Sequence, residues 1–418
     1  MNTIGSDTIH ARLLEKGVII HCPESVHIDN SVDPDRIEAN ATIHAGSRIR
    51  GADTLICDGA VIGLEAPATI DNCFIGPGVS LKGGFFKKGV FLKGASVGSG
   101  GHLREGTILE EYASAAHTVG LKQTILFPFV TLGSLVNFCD CLMAGGTGPD
   151  NHSEVGSAYI HFNFTPHQDK VTPSMMGDVP SGVMINQPPV FLGGQGGLVG
   201  PARLAFGTVT AAGTICRTDE HRPGRLIFGG PSKKGNIAYQ TAFYQNIKTI
   251  TLKNINYISE IIALSCWYNH VRARFVSEQM PRSLLRGLQC NIEAAIRERL
   301  KRLMAFAEKM PSSAAAYEQS AGEKASQALL EQKRQLFENR NALEDLILQQ
   351  AEMQKGDDQA PTAFLKAIDR AIDLHGKNDY VKTIQMLGKK DAQTGTAWLR
   401  GVADETLRQC ITVLPAFA

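Results

Sequence analysis

Between residues 151 and 170 the chain gathers side chains that can move a proton or hold charge: Asn151, His152, Asn163 and Lys170. Imidazole titrates near neutrality, so His152 is suited to taking a proton from an attacking nucleophile. A cation such as Lys170, or a donor such as the Asn163 amide, would stabilise negative charge developing on a carbonyl oxygen. Upstream, Arg104 and Lys122 are cations able to face a phosphate, and the arginine can bind one bidentately. His117, His161 and His167 add imidazoles that would suit zinc if they converged. Cys139 and Cys141 form a close pair, but this C-x-C has no second pair to complete a zinc site, and packing is the expected role.

Such residues need a rigid support, and the sequence carries a period for one. Ile37, Ile43, Ile49, Leu55 and Val61 recur every six residues, and four places after each of the first four stand Ala41, Ser47, Asp53 and Gly59. Ile75 and Leu81 lead through a Gly-Gly-Phe-Phe-Lys-Lys insertion to Phe91, Val97, Leu103 and Leu109, with Ala95, Gly101, Thr107 and Ala113 at the same offset. The register blurs from about residue 119 to 189, where His and Asn accumulate and loops are expected to leave the scaffold. It recovers at Leu192, Leu198 and Leu204, then Val209 and Ile215. Neither a period of 3.6 nor one of 2 accounts for this spacing. A triangular solenoid does: the aliphatic side chain points inward from a short flat face, and the small residue fits the crowded turn. Three units close a coil, and coils stack through parallel backbone hydrogen bonds. His161 and His167, six apart, then project from neighbouring faces and not from the same one.

The solenoid is expected over residues 31–228, after a lead-in over 1–30, with a mostly α-helical region over 236–418. There Leu285, Leu288, Ile292, Ile296, Arg299, Leu303, Phe306 and Met310 form a helical stripe with one polar member, ended by Pro311 and a Ser/Ala stretch. A second stripe runs Leu329, Leu336, Leu343, Ile347, and further helices are expected over Thr362–His375 and Ala403–Leu414. The bundle would cap the open end of the solenoid or mediate assembly. Lys plus Arg is 42 against 41 Asp plus Glu, a net charge of +1, which offers no broad basic face for nucleic acid although a local patch could hide in the average. No nucleic-acid partner is expected. Met1 to Ile20 lacks a continuous apolar run and no 18-residue apolar stretch occurs, so neither a signal peptide nor a membrane span is expected. Nine scattered cysteines suit reduced thiols in the cytoplasm.

The run Asn151-His-Ser-Glu-Val-Gly, then Asn163-Phe-Thr-Pro-His-Gln-Asp-Lys170, Met176-Gly-Asp-Val, Phe191-Leu-Gly-Gly and Thr210-Ala-Ala-Gly-Thr resembles the acetyltransferase half of the bifunctional UDP-N-acetylglucosamine pyrophosphorylase/glucosamine-1-phosphate acetyltransferase family. Phe191 to Cys216 follows the family without a gap. The resemblance covers about Leu103 to Cys216, and it implies a left-handed parallel β-helix, a homotrimer, and acyl-CoA-dependent N-acyl transfer onto an amino-sugar phosphate or sugar nucleotide, with acetyl-CoA or another acyl-CoA as co-substrate and no metal. It places His152 at the general base, with Lys170 at the catalytic centre. Asn151 and Asn163 fall among the substrate contacts, and Gly194 and Ala212 lie along the pantetheine arm. Arg104, in Leu-Arg-Glu-Gly, and Lys122 take the phosphate-binding positions. Lys233, beside Lys234, would grip the CoA 3′-phosphate.

The chain departs from that family in four ways. Lys122 and His152 stand 30 residues apart where the family has 12, an excess of one 18-residue coil. An alternative alignment on Asn137-Phe138 puts Leu142 at the basic position, and Val155 replaces a substrate-binding Tyr. No Leu-x-x-Gly-x-Gly-Thr-Arg-Met signature appears, so a nucleotidyltransferase half is not expected. Two other functions stay open: a catalytically inactive sugar-nucleotide-binding or scaffold protein, and a zinc-dependent carbonic anhydrase-like β-helix using the three histidines.

Overall fold

The computed structural model describes residues 8–229, 236, 243–356 and 360–418. A short helix α1 (Ile9–Lys16), capped by the Thr8 side chain and closed by Gly17 in the left-handed conformation, delivers the chain to the first coil at Ile19. From there to Ile227 the chain winds into a parallel β-solenoid, the architecture the six-residue period predicts. One of its three faces carries eleven stacked strands. On this face one, Ile20, Ile43, Ile62, Leu81, Val97, Ala115 and Leu132 stack in register, and successive coils advance by 16 to 23 residues. The chain then turns a first corner onto face two (His27–Ile28 through Ile215–Cys216), a second corner onto face three (Leu55–Ile56 through Arg203–Leu204), and a third corner back to face one.

The inward positions differ from the simple period in two places. Ile37, Ile43 and Ile49 point inside as expected, but Leu55 and Val61 do not lead the next two units; Ile56 and Ile62 do, both fully buried. The small buried residues shift with them, to Thr54 and Ala60, while Asp53 and Gly59 face solvent. One extra residue in the turn after Arg50 makes the slip, and in a face of alternating side chains a slip of one exchanges inside and outside. Val209 and Ile215 are likewise 38% and 46% exposed, with Thr210 and Cys216 inside at six-residue spacing from Leu204. The second run holds without change: Phe91, Val97, Leu103 and Leu109 are all fully buried. Between residues 119 and 143 the coils stay regular, and the chain leaves them only at 144–153, 163–173 and 177–190.

Face three explains the slip. Its outward residues are apolar as well: Leu55, Val90, Ile108, Ile125, Leu142 and Met175 each precede an inward residue and are themselves buried. Each such side chain contributes about 1.5–3 kcal/mol when fully covered. The cover is the helical region, which lies along this face and does not cap the end. After the short α2 (Val179–Gly182) in the last loop of the solenoid, the region comprises α3 (Ile247–His270), α4 (Arg282–Ala307), α5 (Met310–Ala321), α6 (Gln327–Glu338), α7 (Arg340–Met353), α8 (Thr362–His375), α9 (Tyr380–Gln385) and α10 (Lys389–Val413). The expected stop at Pro311 is instead the first turn of α5, where proline costs no hydrogen bond. The second stripe divides between α6 and α7, and the last helix begins well before Ala403. Most of α3 is buried, including Ile258, Ile261, Ile262, Leu264 and Trp267, because it lies between the solenoid and α4 and α10.

Buried polar pairs fix the docking. Arg272 pairs with Glu111 and lies 3.7 Å over the Tyr380 ring, and the Tyr268 hydroxyl donates to Glu110 at 2.6 Å. Burial pushes the Glu110 carboxyl up to about 7. Removing the arginine strands Glu111 in a dry interface, a loss on the order of 3–5 kcal/mol. Arg272→Met should therefore lower the urea midpoint strongly, and adding Glu111→Gln should restore most of it. An unchanged midpoint in the single variant would refute the docking role.

Candidate active site

The residues singled out by the sequence separate into three groups. His152 stands at the third corner, on a small antiparallel hairpin (Gly146–Gly148 with Asn151–His152) that projects from the coil before face one. Its Nδ1–H donates to the Pro149 carbonyl at 2.6 Å, since a carbonyl can only accept. In the neutral imidazole that places the lone pair on Nε2, which lies 3.7 Å from a Glu154 carboxylate oxygen. The exposed Asn151 amide donates to the Thr147 hydroxyl at 2.8 Å, bracing the hairpin. From the helical region the Gln385 amide donates to the Thr147 carbonyl at 2.7 Å, so the hairpin that carries His152 is tied to α9. Val155 faces the core; the side chain beside His152 on the outside is Glu154.

Asn163 and Lys170 lie in the loop at the second corner, on the far side of face three from His152. The Asn163 amide donates to Asp140 at 3.3 Å, and Arg299 of α4 holds the same carboxylate at 2.8 Å with both partners almost fully buried. Burial raises the Asp140 carboxyl, opposed by Arg299, Asn163 and the nearby Lys170. The Arg299 guanidinium also donates to the Lys170 carbonyl at 3.4 Å. Arg104, Lys122 and Lys170 all lie near Cys139, where they partly offset the rise that burial imposes on its thiol. Arg104, Lys122, Asn163 and Lys170 are thus gathered at one edge. Lys122, however, is held by Glu105 at 2.7 Å. Leu142, the other occupant of the basic position, is buried on face three under the helices.

Gly194 and Ala212 fall at the first corner, where turns stack so closely that a Cβ on Gly193 would sit 2.5 Å from the Ala211 and Ala212 backbone. Lys233 and Lys234 lie outside the described residues. The histidines proposed for zinc do not converge. His117 bonds Ser134 at the first corner, and the His167 ring lies tilted against that of Tyr244, 4.5 Å between centroids. His161 is buried on face two with both ring nitrogens engaged, Nδ1–H donating to the Cys139 carbonyl and Nε2 accepting from the Ser174 hydroxyl. Among the described residues no three metal-binding side chains cluster. Cys141 is buried, and burial raises its thiol well above the ordinary value, so Cys139 and Cys141 behave as packing residues. Asp140 and Arg299 are the polar residues that sequence reasoning passed over. Arg299 had a signal, as the one charge in an apolar helical stripe.

The coils, their repeat and the rim they present define a protein of the left-handed hexapeptide β-helix class. The chain is similar to bifunctional GlmU proteins: it is 29% identical to the one from Thermotoga petrophila over 208 residues, 50% of this chain and 41% of the relative. The match to GlmU of Nitratidesulfovibrio vulgaris is 26% over 212 residues, covering 49% and 40%. That to the Clavibacter sepedonicus protein is 26% over 247 residues, covering 57% and 44%. The chain therefore spans less than half the length of the curated relatives it matches, and no family model matches it.

Burial depresses the His161 imidazole to about 4, so it is neutral in the fold, whereas an unfolded histidine titrates near 6.5. Between those values the unfolded chain binds a proton that the fold refuses. The stabilisation is full above pH 6.5 and is lost as pH falls toward 4, on the order of 3 kcal/mol in all. Denaturation series from pH 7.5 to 4.5 should show His161→Gln with a lower starting stability and a shallower decline. Parallel declines would contradict the assignment.

Proposed function

We propose that this protein is an acyl-CoA-dependent N-acyltransferase acting on an amino-sugar phosphate or sugar nucleotide, with its site completed between copies of a cytoplasmic homotrimer. The observation that carries the reading is the hydrogen bond from His152 Nδ1 to the Pro149 carbonyl, which turns Nε2 to the solenoid rim beside the Glu154 carboxylate. An amine bound there would give its proton to Nε2 as it attacks the thioester carbonyl, and a cation such as Lys170 would stabilise the oxyanion; its collapse breaks the C–S bond, and the CoA thiolate leaves as the thiol with the proton from His152. Within one chain the helical region fills face three between His152 and Asn163. Among the described residues nothing covers faces one and two, which carry exposed apolar side chains in the last coils: Phe191, Val209 and Leu226 on one, Ile160, Phe162 and Ile215 on the other. Packing face one of a copy against face two of the next, around a threefold axis at the first corner, buries both stripes. It also sets the third corner of one copy beside the second corner of its neighbour. His152 then meets the neighbour's Asn163 and Lys170. In this arrangement Gly194 and Ala212 serve close coil packing near the axis, so the acyl arm would follow the outer cleft.

A second reading, a sugar-nucleotide-binding protein without turnover, is favoured by the covered face three and by Leu142 at the basic position. Thiol release from acetyl-CoA with glucosamine-1-phosphate separates the two. The acyltransferase reading predicts turnover that falls on the order of 10²–10⁴-fold in His152→Ala. Turnover that survives the substitution removes the base. Stabilisation by a UDP-sugar with no thiol release under any acceptor supports the second reading. The assembly is checked separately: Val209→Glu with Ile215→Glu should convert trimers to folded monomers by light scattering, and trimers that persist would refute the proposed faces.

A further inference from the structure

Where α4 runs beside the second corner of the solenoid, the two enclose a groove of about 1250 Å³. One wall is a single stripe of α4 on which Arg282, Arg286, Arg297 and Lys301 face the opening. The other wall is the stacked turns, with Arg36, Lys87 and Lys88 toward the α1 end of the solenoid. Among the described residues Arg282, Arg286, Arg297, Lys301 and Lys88 have no hydrogen bond or ion pair from their side chains. The acids of the groove are mostly spent: Glu105 holds Lys122 at 2.7 Å and Glu298 holds Arg302 at 2.6 Å, while Asp53 faces solvent without a cation on it. The balanced composition conceals this concentration, since the net charge of +1 averages it over the whole chain.

From Arg282 to Lys301 the helix rises about 28 Å at 1.5 Å per residue, with uncompensated cations at both ends. One phosphate or one mononucleotide cannot reach both. An extended strand with a negative charge at each repeat can, and arginine is suited to grip phosphate oxygens bidentately. A second feature points the same way. Gln123 lines the groove, is only 7% exposed, and its Oε1 is buried with no donor. That acceptor calls for an O–H or N–H, which the sugars and bases of a polynucleotide supply alongside its phosphates. We propose that this groove binds a single-stranded polynucleotide of about four or more nucleotides through its backbone, independently of the acyl-transfer reading.

The test is fluorescence anisotropy of the full chain with a labelled 12-nucleotide oligo-uridine across 25–200 mM salt. Four phosphate contacts predict a slope near −3 in log affinity against log salt, at about 0.7 per contact. Arg286→Glu with Arg297→Glu, both exposed, should weaken binding at least tenfold and bring the slope nearer −1.5. Arg334→Glu, on α6 and away from the groove, should leave both unchanged. The proposal is overturned if the oligonucleotide does not bind at 50 mM salt or if the double variant binds like wild type. Displacement by a poly-glutamate peptide as effective as by unlabelled oligonucleotide also overturns it, because the groove would then read charge alone. Acyl transfer that fails while the oligonucleotide binds leaves this site standing.

Discussion

A β-solenoid coil normally has one dry side, its interior, and an outside that water can tolerate. Face three breaks that rule. From Leu55 to Met175 its strands carry apolar side chains outward as well as inward, so coil stacking alone would leave a broad hydrophobic sheet in solvent. Covering that sheet is the constraint on which the rest depends. The helical region does it from the side, and its helices owe their order to the same contact: α3 is buried nearly all round because it has solenoid on one flank and α4 and α10 on the other.

The lateral docking has a cost and a consequence. Charged groups at the edges of the face had to be taken out of water, and each is matched: Glu111 by Arg272, Asp140 by Arg299, Glu260 by the Val179 N–H and by Arg203 nearby. Such pairs add little net stability but penalise any other placement of the helices. The consequence is functional. With face three closed, His152 and the Asn163–Lys170 loop sit on opposite sides of a filled wall, and under the proposed function the routes for joining them run through faces one and two of other copies.

How far the sequence revealed this depended on which residues carried a period. The interior from Phe91 to Leu109 was legible because one aliphatic residue per six has no other use. Leu55 and Val209 misled the count for a single reason: an apolar residue on an outward face looks the same in sequence as one pointing inward. The doublets Leu55-Ile56, Val90-Phe91, Ile108-Leu109 and Ile125-Leu126 carried the signal of a covered face, but a period of six is blind to doublets. α3 escaped for a related cause, since a helix buried all round has no stripe to find. At the site, the polar residues of the resemblance were legible one by one. Their division among three corners was not, because the corner on which a residue falls is set by the lengths of the loops before it.

The central claim is that a working site needs two copies of this chain, one giving His152 and the next giving Asn163 and Lys170. Mixed assembly tests it most directly. His152→Ala and Asn163→Ala chains are purified separately, dissociated, combined in equal amounts and reassembled, and acyl transfer is compared with each parent reassembled alone. Recovery of a substantial fraction of wild-type turnover in the mixture, from parents that have almost none, is the predicted result. A mixture no more active than its parents, though both have assembled together, would contradict the shared site.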